Sequence, residues 1–345
     1  MIPDLFHRVQ KVVRRLFLIL LVTVLLVLGA VGAAAAWWLG QPLSMSSASV
    51  ELEIAPGTSP KGVAQAAVAA GVQTEPQLLY YWFRLSGQDR QIRAGNYELT
   101  AGVTPRSLLQ KLVRGEESLR AITLVEGLTF RQVRALLAKD EFLQNDSAAM
   151  SEAQIMAALG KPGVAAEGMF SPDTYTFAKG SSDLAVLRRA LHAMERRLDE
   201  VWALRSADVP LKSPYEALIL ASIVEKETGL HSDRGQIAGV FANRLRIGMR
   251  LQTDPTVIYG LGEAFDGNLR RRDLQTDTPW NTYTRAGLPP TPIAMPGKAS
   301  LMAAVRPEAT KAYYFVARGD GSSHFSNNLD EHNRAVNRYI RGRGN

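Results

Sequence analysis

The N-terminal part of the chain carries a long, uninterrupted apolar run. Residues 16–36 read LFLILLVTVLLVLGAVGAAAA, and Thr23 has the only polar side chain among them. A helix of this length, at ~1.5 Å per residue, spans ~30 Å of hydrocarbon. Trp37 and Trp38 follow, and tryptophan suits a membrane–water interface. The pattern therefore predicts a transmembrane helix over residues 16–38.

Charges in front of this run predict its orientation. The basic side chains there are Arg8, Lys11, Arg14 and Arg15. Basic residues hold their side of a membrane helix in the cytoplasm. We therefore expect a cytoplasmic tail at residues 1–15, a single-pass anchor in the cytoplasmic (inner) membrane, and a periplasmic remainder. A cleaved signal peptide is the alternative, because residues 33–36 imitate a cleavage site. The run is, however, longer than the ~7–15 residues of a signal-peptide core.

Beyond the apolar run, the pattern changes to short alternating and helical segments. Residues 39–49 are mostly small and polar, which is typical of a linker. Apolar Val50, Leu52 and Ile54 then alternate with glutamates, and this period of two predicts a strand. Residues 50–118 are predicted to form a small α/β unit.

A short strand-to-helix turn recurs along the chain. It occurs as Gly57-Thr58-Ser59-Pro60, as Gly102-Val103-Thr104-Pro105 and as Gly127-Leu128-Thr129-Phe130. Glycine permits a tight turn, Ser or Thr caps a helix, and proline suits the first helical position. An apolar residue follows each glycine six positions later: Val63, Leu108 and Val133. Each copy is predicted to join a strand to a helix. Helix capping without common ancestry explains the recurrence equally well.

Residues 119–345 are predicted to form a larger mixed α+β domain. Helices are expected at 130–139, 151–159, 182–204, 214–228, 233–247 and 328–341. The segment 250–298 is rich in Thr, Pro, Gly and Asn, so most of it is predicted to be non-helical, while its aromatic residues argue against disorder. Tyr313–Ala317 (YYFVA) is predicted to be a buried strand.

Composition narrows the classes of function. The chain has no cysteine, which excludes disulfides, thiolate metal sites and a cysteine nucleophile. The net charge of +7 fits a protein that contacts an anionic membrane surface or envelope polymer. The sequence lacks the basic runs interleaved with aromatics that would predict binding to nucleic acid. His324 and His332 lie eight apart with no glutamate spaced for a zinc helix. No metal or cofactor is predicted.

The helix expected at 214–228 carries two glutamates near its end. It reads PYEALILASIVEKET, and its middle is apolar almost all round, which predicts burial. At ~100° per residue, Glu225 and Glu227 diverge by ~200° and cannot serve one pocket together. Glu227 continues the stripe of Leu220 and Ile223. Its carboxyl is therefore expected to be desolvated and close to the negative end of the helix dipole, and both effects raise its pKa toward that of a general acid.

The pattern alone leaves two interpretations of Glu227 open. One is a general acid, and the other is a structural ion pair with Arg234 or Arg244. The loops at 251–256 (LQTDPT) and 281–283 (NTY) place short hydrogen-bonding side chains beside aromatics, which suits a sugar chain. A plain turn-rich scaffold is the alternative for these loops.

Longer motifs along the chain resemble one family. They are EGLTF (126–130), EGMFSPDTYTF (167–177), ASIVEKETG (221–229), FANRLRIGMRLQTDPTVIYG (241–260), PWNTYTRAGLPPTPIAMPG (279–297), YYFVA (313–317) and HFSNNLDEHN (324–333). They are similar to motifs of the endolytic murein transglycosylases, the MltG or YceG-like family. The resemblance covers the anchor and nearly all of residues 50–340. One departure is Thr291, where the family usually has a glycine (GLPPGPI).

The resemblance implies an α+β fold in three parts. These are an N-terminal membrane helix, a LysM-like subdomain at 50–118, and a catalytic domain at 119–345 with an active centre related to goose-type and soluble lytic transglycosylases. Those enzymes place a catalytic glutamate at a helix end, followed by Ser or Thr. Glu227-Thr228 matches that pair, whereas Glu225-Lys226 does not, so Glu227 is the predicted catalytic residue. The candidate substrate-binding residues are Thr228, Gln252, Thr253, Asp254, Asn281 and Tyr283.

The resemblance also implies a reaction and partners. The implied enzyme is a lyase that cuts the MurNAc–GlcNAc β-1,4 bond inside peptidoglycan strands, leaves 1,6-anhydroMurNAc ends, and terminates nascent strands during wall synthesis. Its partners would be peptidoglycan strands, the membrane and, as candidates, peptidoglycan synthases (penicillin-binding proteins). Two alternatives stay open, namely a non-catalytic peptidoglycan-binding anchor and a muramidase that uses water.

Overall fold

The structure, a computed structural model, describes residues 2–227 and 229–343 of the chain. It is a mixed α+β protein that divides into two compact units, Met1–Leu119 and Arg120–Asn345. The interpretation of the first as LysM-like and of the second as catalytic stays a prediction at this point.

The first helix, α1 (Ile2–Leu39), contains the apolar run. Its segment Leu18–Leu39 has a mean hydropathy of 2.8 and none of it is buried within the protein. By length and composition this segment fits a membrane span and equally a signal sequence. The side chains of Arg8, Lys11 and Arg15, on which the predicted orientation depends, lie outside the described residues.

The rest of the first unit is built on an antiparallel strand pair. Its elements are β1 (Ser44–Met45), β2 (Ser49–Ile54), α2 (Pro60–Ala69), β3 (Val72–Gln73), α3 (Pro76–Leu85), a 3-10 turn (Asp89–Gln91), β4 (Gly95–Thr100) and α4 (Pro105–Arg114). β2 pairs with β4, so that Val50 lies opposite Leu99 and Leu52 opposite Tyr97. The inward residues of both strands pack with α2, α3 and α4 into one apolar core, which confirms the alternation read from the sequence.

The three repeated turns have the predicted geometry. Gly57, Gly102 and Gly127 adopt φ of 82°, 94° and 78°, values that favour glycine. Ser59, Thr104 and Thr129 accept hydrogen bonds from the backbone N–H groups of Gly62, Ser107 and Gln132. The apolar residues Val63, Leu108 and Val133 are fully buried. Local capping and burial of the following helix therefore fix all three strand-to-helix junctions.

The second unit opens with the order of elements that the first unit shows from β2 to β4. The elements are β5 (Leu119–Leu124), α5 (Phe130–Ala138), β6 (Leu143–Gln144), α6 (Glu152–Ala158) and β7 (Asp173–Ala178). β5 pairs with β7, as β2 pairs with β4 in the first unit. Both units thus contain a strand, a helix, a two-residue strand, a second helix and a strand that returns to the first. We refer to residues 119–178 as the second βααβ module.

The remainder of the second unit is mainly helical. Its elements are β8 (Ser181–Ser182), α7 (Asp183–Ala203), α8 (Pro214–Glu227), α9 (His231–Arg246), α10 (Asp254–Leu261), a 3-10 turn (Gly262–Ala264), α11 (Arg271–Gln275), α12 (Lys298–Val305), β9 (Tyr314–Ala317), β10 (Ser323–Ser326), α13 (Leu329–Tyr339) and a 3-10 turn (Arg341–Arg343). Each of the six helices predicted for residues 119–345 is present, with ends that differ by at most two residues. α8 is the central helix: it packs against α7, α9, α10 and α12, and residues 217–224 are all buried.

One expectation was confirmed and another was wrong in part. Most of the Pro- and Thr-rich segment 250–298 is non-helical, as predicted, and its longest helix is α10. Proline at the second position of α10 is tolerated because the first turn of a helix needs no backbone N–H from it, while Thr256 and Val257 pack inward. The strand at Tyr314–Ala317 is half-buried and exposed at its end, since it belongs to a two-stranded hairpin with β10 at the surface of the unit.

Candidate functional site

Glu227 is the last residue of α8, and its carboxyl lies at the end of the buried apolar helix. Thr253 donates a hydrogen bond from its hydroxyl to Oε1 of Glu227. Burial raises the pKa of Glu227 to about 7; the Thr253 hydroxyl and Arg244 lower it, while the charge of Asp254 raises it. The side chain keeps partial exposure. Near neutral pH this carboxyl can therefore both give and accept a proton, as a general acid/base must.

The loop before α10 holds Thr253 against Glu227. Gln252 has a φ of 50° and is the only described residue other than glycine with a positive φ. Such a conformation costs on the order of 1–2 kcal/mol and persists where surrounding contacts enforce it. Those contacts come from Thr282: its carbonyl accepts from Gln252 N at 3.1 Å, and its Oγ1 accepts from Thr253 N at 3.1 Å. The Thr253 hydroxyl is thereby directed at Glu227 and does not cap α10.

Asp254 and Tyr283 form a polar pair beside Glu227. The Tyr283 hydroxyl donates to Oδ1 of Asp254 at 2.6 Å. Burial, the bond to Asp254 and the charges of Asp254 and Glu227 all raise the pKa of Tyr283, so the phenol stays protonated. Asp254 is exposed, and Tyr283 is half-exposed. This edge therefore offers a carboxylate and an aromatic face to a ligand.

Arg244, on α9, ties this site to the C-terminal hairpin. Its guanidinium donates to the carbonyls of Tyr313 (2.7 Å), Leu251 (2.7 Å) and Arg250 (3.3 Å). Burial lowers its pKa, whereas the charge of Glu227 raises it. Arg244 thus affects the pKa of Glu227 through its charge, while its N–H groups bind the carbonyls of the loop before α10. Among the described side chains, Glu227 makes no direct ion pair of the kind considered from the sequence.

Glu225 has a different environment from Glu227. Its Oε2 accepts from Gly297 N at 2.9 Å, and its Oε1 lies 4.0 Å from a guanidinium nitrogen of Arg234. Arg234 was one of the two predicted ion-pair partners of Glu227, but in the structure it lies beside Glu225. The two glutamates therefore face different neighbours, as their angular separation on the helix predicts.

The predicted site residues meet in one place with two exceptions. Glu227, Gln252, Thr253, Asp254 and Tyr283 come together at the ends of α8 and α10. Thr228 lies outside the described residues.

Asn281 requires a correction. Its side chain is fully buried and donates to the carbonyls of Asp273, Leu274 and Thr276, while its Oδ1 accepts from Tyr283 N. With no exposed surface and all these bonds made, Asn281 positions the loop and cannot contact a substrate. A sequence motif alone does not distinguish an amide that binds a ligand from one that binds its own backbone.

The sequence interpretation missed a second protonatable carboxyl, Glu167. Both of its oxygens accept from Phe130 N at the start of α5, at 3.0 and 3.1 Å, and the Tyr259 hydroxyl bonds to it as well. Burial raises its pKa to about 7. The motif EGMFSPDTYTF contained this residue, but nothing in its spacing indicated burial.

Glu167 lines a cavity of about 680 Å³ in the second unit. Lys226, next to Glu227 in the chain, and Pro255, next to Asp254, also line it, so the cavity adjoins the Glu227 site. Among the described residues no group of three His, Asp or Glu side chains is arranged to hold a metal ion. The chemistry available here is that of carboxyls, hydroxyls and aromatic faces.

The fold and the site define a class of protein: a mixed α+β protein whose site is built on a largely buried, protonatable glutamate, Glu227. The chain belongs to the YceG-like family, whose model matches residues 52–338.

Similar proteins support the same assignment. The chain is 31% identical over 319 residues to a Bacillus subtilis protein named endolytic murein transglycosylase, covering 86% of each chain. It is 27% identical over 288 residues to a Streptococcus pneumoniae protein of the same name, covering 74% of this chain and 52% of that relative. The crystal structure of a yceG-like protein from Listeria monocytogenes matches 85% of this chain and 100% of its own, with 29% identity and a TM-score of 0.52.

Proposed function

We propose that the protein is an endolytic lytic transglycosylase that cuts the MurNAc–GlcNAc β-1,4 bond within peptidoglycan strands and leaves 1,6-anhydroMurNAc ends. Two relatives that carry the name endolytic murein transglycosylase support the activity. The observation that supports the mechanism is Glu227, a largely buried carboxyl that keeps partial exposure and whose pKa burial raises to about 7.

In the proposed reaction Glu227 acts twice. As the acid, it protonates the glycosidic oxygen while the bond from that oxygen to C1 of MurNAc breaks. As the carboxylate, it then accepts the proton of the MurNAc C6 hydroxyl while that oxygen bonds to C1. The proton is returned to Glu227, no water is consumed, and the ring closes as the 1,6-anhydride. A tethered hydroxyl has a high effective molarity, so a separate nucleophilic carboxylate is unnecessary.

The neighbours of Glu227 have distinct proposed roles. The Thr253 hydroxyl stabilises the carboxylate form during the second step. Asp254, exposed beside it, is placed to balance the positive charge that develops at C1, together with the N-acetyl group of the substrate. Gln252, Thr228 and Tyr283 are proposed to contact the sugar rings.

A hydrolytic muramidase is the second candidate. Asp254 favours it, because its charge is close enough to Glu227 to affect that carboxyl and a second carboxylate is what water-using glycosidases employ. The two reactions give products that differ by the mass of one water, so they are distinguished directly.

The remaining parts of the assignment are also proposals. We propose that residues 50–118 are a LysM-like subdomain that binds glycan, that residues 119–345 are catalytic, and that α1 anchors the protein in the inner membrane with both units in the periplasm. There the enzyme would terminate nascent strands beside peptidoglycan synthases. The rival in which the protein only binds peptidoglycan gives no reason for a protonatable glutamate such as Glu227.

Digestion of long purified glycan strands tests the function. The wild-type protein is expected to release internal fragments with anhydro ends, while Glu227→Gln loses activity by ~10²–10⁴-fold, the usual contribution of general acid catalysis. Glu225→Gln is the matched control on the same helix and should retain clearly more activity. Fragments heavier by one water would establish a muramidase, and disaccharides from the earliest times would establish an exolytic enzyme. Cleavage by Glu227→Gln at the wild-type rate would refute the assignment of the acid.

A further inference from the structure

The cavity beside Glu227 has one wall that the proposed mechanism does not use. The wall comes from the second βααβ module, at the start of α5 and of α6, and it includes Thr129, Gln132, Glu152 and the buried Glu167. The opposite wall comes from α10, the turn after it and the loop between α11 and α12. The volume of about 680 Å³ falls within the ~300–1,000 Å³ that is usual for small-molecule sites.

The far wall is aromatic and aliphatic. Tyr259 and Trp280 contact each other edge to face, with ring centroids 5.6 Å apart, and the Trp280 indole N–H donates to Thr291 Oγ1 at 2.9 Å. Phe265 and Ile258 extend this surface, and both are half-exposed. Flat apolar faces of this kind pack against the C–H faces of a pyranose ring, whereas hydroxyls bond to polar groups at the ring edge.

Glu167 holds the two walls together. Its carboxyl binds the Phe130 backbone N–H of α5 and the Tyr259 hydroxyl of α10. The walls are therefore fixed before a ligand arrives, which reduces the ordering cost of binding. Thr291, where the family usually has glycine, contributes to the same support through its bond to Trp280.

The charges of the cavity favour a neutral ligand. Two cations line it, Arg131, which pairs with Glu263 at 3.1 Å, and Lys226, which keeps its charge while donating to the Gly127 carbonyl at 3.2 Å. Two carboxyls, Glu152 and Glu167, lie in the same wall. An anionic peptide stem would meet these carboxyls, whereas a neutral N-acetylated sugar would use them as hydrogen-bond acceptors.

From this arrangement we propose that the cavity is a saccharide subsite. It binds a neutral N-acetylhexosamine unit that neighbours, in the same strand, the sugar unit whose bond is cut at Glu227. The proposal rests on the proposed function for the identity of the strand. The second βααβ module thereby forms part of the substrate-binding surface, and Phe265 and Glu152 become binding residues for a ring that is not itself cleaved.

Binding to the intact chain tests the subsite without cleavage. Full-length Glu227→Gln protein in detergent is titrated calorimetrically with a β-1,4 tetramer of N-acetylglucosamine. Phe265→Ala in this background is expected to weaken binding about tenfold, equivalent to ~1.4 kcal/mol. Tyr339→Ala, a half-buried aromatic of the same unit outside the cavity, is the matched control and should bind like the parent. Glu152→Gln, which keeps the side-chain shape, should weaken binding by a smaller factor. Unchanged melting temperatures would show that each variant is folded.

Cleavage by variants with Glu227 intact separates the possible outcomes. If the subsite is correct, Phe265→Ala lowers kcat/KM on peptide-free strands and on peptide-bearing strands alike. A loss confined to peptide-bearing strands would assign the cavity to the stem peptide and overturn the sugar proposal. Equal binding and cleavage by Phe265→Ala and Tyr339→Ala would overturn it outright. A failure of the proposed function shows itself separately, as cleavage by Glu227→Gln or as the absence of any cleavage by the wild type.

Discussion

At the scale of single residues, the chemistry of the site depends on how one carboxyl is solvated. Glu227 and Glu225 are two positions apart on the same helix, yet their surroundings differ. Burial raises the pKa of Glu227 to about 7, and the Thr253 hydroxyl is bonded to its carboxyl. Glu225 instead binds a backbone N–H and lies near Arg234. Residue type alone does not make a general acid; the neighbours that replace water decide it.

Thr253→Val should shift the pH dependence of cleavage upward. The Thr253 hydroxyl stabilises the ionised form of Glu227 and so lowers its pKa. A hydrogen bond to a charged group contributes ~1.5–3 kcal/mol and one pKa unit corresponds to ~1.36 kcal/mol, so its loss should raise the pKa by about one unit or more. Because Glu227 must be protonated to act as the acid, the alkaline limb of the kcat/KM profile moves to higher pH. Thr284→Val, in the loop after α11 and without a bond to Glu227, should leave the limb in place.

Glu227→Gln should make the protein more stable at alkaline pH. The pKa of Glu227 is about 7 in the folded protein against 4.5 for the free group. A raised carboxyl pKa favours the folded state fully below pH 4.5, and this contribution is lost as pH rises through about 7. As the pH rises from 4.5 to 8, the unfolding free energy of Glu227→Gln should therefore increase relative to that of the wild type by on the order of 3 kcal/mol. Denaturant titrations at both pH values measure it, with Glu98→Gln as the baseline; parallel losses in the variant and the wild type would contradict it.

At the scale of elements, α8 organises the second unit. Residues 217–224 are buried, and the fully buried Ser222 within that stretch joins the helix to the loop that precedes α12. Its hydroxyl accepts from Ile293 N at 3.0 Å and donates to the Ile219 carbonyl at 2.7 Å. The helix therefore positions Glu227 at its end and anchors the Pro-rich loop along its side.

Ser222→Ala is expected to destabilise the protein by ~1–3 kcal/mol, because it leaves the buried Ile293 N–H without an acceptor. Ser300→Ala is the matched control. Ser300 is equally buried on α12, which packs against α8, and its hydroxyl has no hydrogen-bond partner among the described residues. Its removal should change stability by less than ~0.5 kcal/mol or improve it. Unfolding free energies of the two variants compare them directly; equal losses would show that volume, and not the hydrogen bond, matters at both positions.

At the scale of the whole molecule, the apolar helix and the folded units have different relations to solvent. Residues 18–37 of α1 are all exposed, so this part of the helix packs against no part of the protein core. The end of α1 is different, because Trp38 is half-buried and packs against the core of the first unit together with the buried Leu43. The apolar helix and the core of the first unit therefore meet at Trp38.

Removal of residues 1–36 should give a soluble, folded protein that still cleaves purified glycan. Removal of residues 1–40 also takes away Trp38 and should lower the melting temperature of the first unit, since an aromatic contact with its core is lost. Scanning calorimetry of the two truncated proteins measures the difference. In cells, both should act more weakly than the anchored protein if α1 keeps the enzyme beside new strands. If the protein that lacks residues 1–36 were unfolded, the removed part of α1 would have to contribute to the folded core, which would contradict the prediction.

The features that the sequence determined are local. The apolar run, the capped strand-to-helix turns and the six predicted helices of the second unit follow from side-chain periodicity and from bonds between residues two to four apart, as with Thr104 and Ser107. The position of Glu227 at the end of a buried helix also follows, because α8 is apolar almost all round and too short to span a membrane, so the protein core must enclose it. These properties depend on the chain within one or two turns, so a reader of the sequence has all the information that sets them.

What only the tertiary structure decided is which distant residues replace water. Thr253 reaches Glu227 from 26 positions away, and Phe130 binds Glu167 across 37. The burial of Asn281 and the cavity lined by Trp280 arise in the same way, because several elements that are distant in sequence pack together there. Desolvation is a property of all the atoms around a group and decays over a few ångströms in space, whatever their separation along the chain. The sequence therefore marks Glu227 as a candidate acid, and the folded neighbours set its pKa.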